Sequence, residues 1–100
     1  MSLPPHLVAH EEAHQRQQGN DPAAWWREYL EDPGFRFRQE LDAYRAQYQY
    51  LCKYYGRGER RRVLMHIAKD LASPMYGKIV ASREEAAGLI KAPAKFGGVL

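Results

Sequence analysis

The sequence predicts a mainly α protein, a compact bundle of about five helices with little or no β-sheet. Three observations lead there. Apolar residues of the longest uninterrupted segment recur at alternating spacings of three and four, the period of one helical face. Helix start and stop signals punctuate the chain at intervals suited to short helices. Hydrophobic residues make up 45% and charged residues 27% of the 100 positions, which is the balance of a globular domain and not of a disordered chain.

Each element has its own justification. Pro4 and Pro5 suit a first helical turn, and nothing breaks the chain from His6 to about Gln18, where Gly19-Asn20 supplies a stop. Asp21-Pro22 restarts the chain with an N-cap and a proline at the first helical position. A short helix follows over Ala23 to Leu30, carrying Trp25, Trp26 and Tyr29. Asp32-Pro33 repeats the signal. From Phe35 to about Tyr55, the residues Phe37, Leu41, Tyr44, Tyr48, Leu51 and Tyr55 form one aromatic-rich stripe, ended by Gly56 and Gly58. A fourth helix is expected from about Glu59 to Ala72, with Leu64, Ile67, Ala68 and Leu71 inward and Ser73-Pro74 at its end. Met75 to Ala81 reads as a connector with a short strand at Lys78 to Val80. Ser82 and Glu85 form a capping box for a last helix reaching about Lys91. Residues 1–92 thus read as a single helical domain and 93–100, with Gly97-Gly98, as a loose tail.

Composition narrows the function classes. The net charge of +3 is concentrated in Arg57, Arg60, Arg61 and Arg62, one local basic patch. A single cysteine, Cys52, excludes an internal disulfide and a Cys-rich zinc knuckle; it reads as a small buried hydrophobe beside the stripe. No run approaches the apolar length that spans a membrane, and no signal peptide opens the chain, so a cytoplasmic protein is expected.

The chemistry is concentrated in the first helix. Leu3, Leu7, His10 and His14 share a face, and His10 and His14, four residues apart, aim two imidazoles at one point from a rigid element. Zinc accepts such nitrogens and, in a catalytic site, takes three protein ligands plus a water. Glu11, beside His10, is placed to act as general base, which is the reason for H-E-x-x-H spacing. With cysteine excluded, the third ligand must be a carboxylate or another histidine. Glu40 lies inside the aromatic stripe between Phe37 and Tyr44, where a carboxylate is costly unless paired or bound to a metal. His6 shares the face of His10 but falls in the first turn and reads as a helix-start residue. His66 reads as an ordinary, partly exposed histidine, and the Trp25-Trp26 pair as packing.

The segments VAHEEAHQRQQ, WWREYL and RQELDAYRAQ resemble the minimal gluzincin type of HExxH zinc metallopeptidase, over roughly residues 7–51. The resemblance implies a zincin-type active-site helix beside a "glutamate helix", with His10, His14 and Glu40 as ligands of Zn2+ and Glu11 as catalytic base. It implies hydrolysis of a peptide or protein substrate through a water activated by the metal. Ala43 fits the small residue such glutamate helices carry against the zinc-binding helix. No histidine matches the family's transition-state stabiliser; Tyr44 and Tyr48 are the candidate transition-state or second-sphere donors. Glu12, acidic where the motif is usually uncharged, must face outward. Two other readings accompany this one. The first is a non-catalytic zinc- or protein-binding module on a degenerate peptidase scaffold. The second is a small basic nucleic-acid-binding helical protein using Arg57 to Arg62.

Overall fold

The computed structural model describes residues 3–92; the tail expected over residues 93–100 lies outside them. Five α-helices follow one another: α1 (Pro5–Gln18), α2 (Pro22–Glu31), α3 (Pro33–Tyr54), α4 (Arg57–Leu71) and α5 (Arg83–Lys91), with a 3-10 turn at Pro74–Tyr76 between the last two. The mainly α bundle expected from the sequence is the architecture observed.

The helix starts follow the local chemistry. The Asp21 carboxylate accepts from the Ala24 amide, and that of Asp32 accepts from the amides of Gly34 and Phe35; in both cases proline occupies the next position. Helix α3 accordingly begins at Pro33, two residues before the start expected at Phe35. The Ser82 hydroxyl accepts from the Glu85 amide at 3.1 Å, and the Glu85 carboxylate accepts from the Ala81 amide at 2.8 Å. The capping box therefore closes one residue earlier than its usual form. Gly19 ends α1 with φ +54, a backbone conformation that glycine adopts without steric cost.

Helix α3 is the axis of the bundle and packs against all four other helices and the 3-10 turn. Two of its stripes are buried for different reasons. One carries Phe37 and Tyr44, with Leu41 and Tyr48 partly covered, into an apolar core shared with Leu64, Ile67, Ala68 and Leu71 of α4 and Ala86, Ala87 and Ile90 of α5. The other carries Glu40, Ala43, Gln47 and Leu51. Its polar members bond to α1, the most extensive partner of α3. Ala13 on α1 and Ala43 on α3 are both buried, and small side chains of this kind let two backbones approach closely. Arg36 holds the lower end of α2 in place, donating to the Tyr29 and Leu30 carbonyls at 2.8 and 3.1 Å and to the Met75 carbonyl of the 3-10 turn at 2.6 Å.

Two expectations are corrected. No strand forms at residues 78–80. Gly77 and Lys78 both have positive φ (78° and 52°), which turns the chain where a strand would have to be extended. Val80 is nevertheless buried in the core, so the apolar signal there belongs to a loop that plugs the bundle. Cys52 is exposed, not buried. Leu51 already fills the inward position, and the next residue lies 100° further round the helix.

Leu71 is fully buried at the end of α4. Leu71→Ala should cost about 2–5 kcal/mol of unfolding free energy in urea titration, whereas Cys52→Ser should change it by less than about 0.5 kcal/mol. Equal effects of the two substitutions would mean that the core is misassigned.

Candidate metal centre

His10 and His14 project from α1 toward α3 and meet Glu40 between them. His10 Nε2 lies 3.1 Å from Glu40 Oε1, and His14 Nε2 lies 3.2 Å from Glu40 Oε2. The two Nε2 atoms are 3.1 Å apart. His10 and Glu40 are 7% and 6% exposed, so water does little to screen the cluster. The sequence places these three residues at one point, and the structure brings them together.

The hydrogen bonds behind the rings show which nitrogen faces inward. Gln17 Nε2 donates to the Gln39 carbonyl at 2.9 Å and to Asp42 Oδ2 at 3.2 Å. Both partners are acceptors only, so the amide orientation is settled and Gln17 Oε1 is the atom 2.8 Å from His14 Nδ1. His14 Nδ1 must therefore carry a proton, which leaves Nε2 of the neutral ring with its lone pair pointing into the cluster. His10 Nδ1 makes the corresponding bond to Gln47 Oε1 at 3.1 Å. Metal-ligating histidines are held in this way, by an acceptor on the nitrogen remote from the metal.

Glu40 is held as firmly. The Tyr29 hydroxyl donates to Oε2 at 2.6 Å. Tyr29 stacks on Trp25 with ring centroids 4.9 Å apart, and Trp25 meets the edge of His14 and donates its indole N–H to Gln39 Oε1. Burial alone would raise the Glu40 pKa, but hydrogen bonds from His10 and His14, made when Nε2 carries a proton in place of a metal, and from Tyr29 bring it down to about 2. Burial also works to lower the His14 pKa, yet hydrogen bonds with Glu40 and Gln17 and the charges of Glu40 and Glu11 carry it above its ordinary value. Burial and the bond to Glu40 push the Tyr29 hydroxyl upward, so it stays a donor.

Three electron-pair donors facing one another at these distances need a cation among them, either a proton or a metal ion. The spacing fits a metal. Two ligands about 2.0–2.1 Å from a tetrahedral zinc lie about 3.3 Å apart, close to the three separations observed. His10, His14 and Glu40 thus form a buried group able to hold a metal ion.

Other candidates fall into place around this centre. Glu11 is exposed, has no hydrogen-bond or ion-pair partner among the described residues, and lies near enough to His14 to favour its protonated form. Two cavities flank the centre, and Glu11 and His10 line both. One, of about 240 Å³, is walled by His14, Trp25, Trp26 and Tyr29; the other, of about 470 Å³, by Leu7, Tyr44, Val63 and Ile67. Tyr44 packs its ring on His10, with centroids 4.8 Å apart, whereas Tyr48 lines neither cavity. Glu12 is exposed, as its charge demands. Trp25 is buried and Trp26 is 48% exposed. Of the arginine run, Arg62 reaches the larger cavity and pairs with Glu59 across 3.7 Å of exposed surface.

Sequence reasoning missed Gln17, Tyr29 and Gln47, and it read His6 as a helix-start residue, whereas His6 is bonded to Gln47. Gln47 alone left a signal, since an amide seven residues after Glu40 falls on the same helical stripe.

Comparison with protein-family models, with curated proteins and with solved structures returned no match to this chain. No helix among the described residues is long and apolar enough to cross a membrane.

Two of the shifted groups, Glu40 and His14, give the centre itself a pH dependence in the metal-free protein. Glu40 is lowered from 4.5 to about 2, so its contribution is present above about 4.5 and lost as pH falls toward 2. His14 is raised above 6.5, so its contribution is complete below that value and lost as pH rises through the higher folded one. Chemical denaturation of the metal-free protein across pH should show stability falling on both sides of mildly acidic conditions. Glu40→Gln should flatten both limbs, and an unchanged profile in that variant would contradict the assignment.

Proposed function

We propose that this chain is a zinc-dependent hydrolase of peptide bonds, with His10, His14 and Glu40 holding the metal and Glu11 acting as general base. The observation that carries the reading is the triangle of two imidazole nitrogens and one carboxylate, with Glu11 at the junction of the two cavities beside it. Two histidines and a carboxylate also serve non-haem iron. The H-E-x-x-H spacing, with an unpartnered carboxylate next to the first ligand, favours zinc and hydrolysis.

Zinc in this position supplies a Lewis acid and makes a water nucleophilic near neutral pH. The chain's own residues do the rest. Glu11, exposed and free to move, takes the proton of the attacking water and delivers it to the leaving amine. Glu40 stays ionised and fixed, because the Tyr29 hydroxyl donates to its Oε2. Gln17 and Gln47 hold the imidazoles in the tautomer that presents Nε2. A peptide reaching the metal would pass between the aromatic wall of the smaller cavity and the apolar wall of the larger one. Arg57, Arg60, Arg61 and Arg62 lie on α4, and Arg62 lines the larger cavity with His10 and Glu11.

Elemental analysis of purified protein should find zinc near one per chain, strongly reduced in Glu40→Ala. Glu11→Gln should keep the zinc and lose at least about a hundredfold in peptide cleavage, the scale of a general base. Full activity in Glu11→Gln would sink the mechanism. Stoichiometric zinc with no cleavage of any peptide library by the wild type would instead identify a metal-binding module without catalysis.

A further inference from the structure

Gln47 is 1% exposed, among the most deeply buried polar side chains described, and both ends of its amide are bonded to α1. Oε1 accepts from His10 Nδ1 at 3.1 Å, and Nε2 lies 2.8 Å from His6 Nδ1. An amide nitrogen only donates, so His6 Nδ1 must be the acceptor, with the ring proton on its Nε2. His6 is held in turn by the edge of the Tyr55 ring, with centroids 5.6 Å apart. Three side chains thus form a directed chain from His6 through Gln47 to His10.

That chain has two internally consistent settings. In the observed one, Gln47 presents its oxygen to His10, His10 carries its proton on Nδ1, and Nε2 offers a lone pair to the metal centre. In the reversed one, the amide is turned over, His10 must accept at Nδ1, and its proton moves to Nε2, where a metal would have to displace it. Within the triangle, the Glu40 carboxylate beside His10 Nε2 favours the reversed setting. At the far end, the observed amide requires a lone pair on His6 Nδ1 and the reversed amide requires a proton there.

We propose that His6 and Gln47 are positioning residues for the metal centre: His6 orients the Gln47 amide, and Gln47 holds His10 in the tautomer that can bind a metal. This rests on the zinc reading above but assigns a role to two residues outside the H-E-x-x-H motif and its third ligand. Such supporting partners typically change metal affinity by 10–100-fold. His6 also lines the larger cavity, so the wall of that cavity is wired to a metal ligand.

The test measures zinc affinity by competition with a chelator, together with the tautomer of His10 from imidazole 15N shifts in metal-free protein. Gln47→Leu should weaken zinc binding about 10–100-fold, and His6→Leu about tenfold. The 15N spectrum of His6→Leu should show His10 sharing its proton between the two nitrogens. Gln47→Glu is the decisive variant. A carboxylate accepts from His10 Nδ1 whichever way it lies, so affinity should return to within a few-fold of the wild type. In that background, His6→Leu should have no further effect. A merely structural role would make the two substitutions additive and leave the His10 tautomer untouched. Should Gln47→Leu fail to fold, the half-buried His6 still provides the single-variant arm. Wild-type affinity in His6→Leu, with His10 still protonated on Nδ1, would overturn the relay and leave the zinc centre standing. Absence of zinc uptake by the wild type would overturn both.

Discussion

The structure depends on the approach of α1 to α3, which brings two imidazole lone pairs and a carboxylate within 3.2 Å of one another in a buried place. Such a cluster repels itself unless a positive charge sits inside it. Everything near it serves to hold the donors while they repel. Buried alanines on both helices allow the backbones to close, caps at Asp21 and Asp32 set where α2 and α3 begin, and Arg36 anchors the end of α2 that delivers Tyr29. A domain of 100 residues buries a modest fraction of its surface. A metal ion bound only by the folded form therefore adds its binding free energy directly to stability.

The acceptors behind the inward-facing nitrogens matter as much as the three residues that could hold a metal ion. An imidazole is useful to a cation only in one of its two neutral tautomers, and the protein settles that choice with amides. Gln17 is held by two groups that can only accept, so its orientation has one solution. Gln47 has no such anchor and takes its orientation from another histidine. The two histidines on one helix are thus supported with unequal security, and the less secure one, His10, is connected to a cavity wall.

Much of this was legible in the sequence, and the reason is periodicity. Helix repeats are short-range, so His10 with His14, Glu40 within its stripe and the inward faces of α3 and α4 could be read directly. The Asp-Pro starts were equally plain, because capping acts over three residues. Contacts between side chains far apart in sequence leave no such mark. Gln17 reaches Gln39 and Asp42, and Tyr29 reaches Glu40; each depends on how α1 and α2 lie across α3, which no local pattern encodes. His6 reads as a helix-start residue because its partner is 41 residues away in the chain. The strand expected at Lys78 to Val80 failed for the opposite reason. Local β propensity was outweighed by a turn through positive φ and by the burial of Val80 as a plug.

The two carboxylates next to the histidines have opposite environments, and this separation gives the centre a direction. Glu40 is buried, bonded by the Tyr29 hydroxyl and faced by two imidazoles, and its pKa is lowered to about 2, so it stays ionised near neutral pH. Glu11, one residue from His10, is exposed and bonded to none of the described side chains. In the proposed hydrolase, a general base has to stay mobile and proton-accepting, which suits an exposed carboxylate without a partner. The cavities reinforce the distinction, since Glu11 lines both, whereas Glu40 lines only the smaller. The two acids thus differ in what surrounds each: Glu40 is locked into the group that could hold a cation, and Glu11 lies exposed on the walls of both cavities.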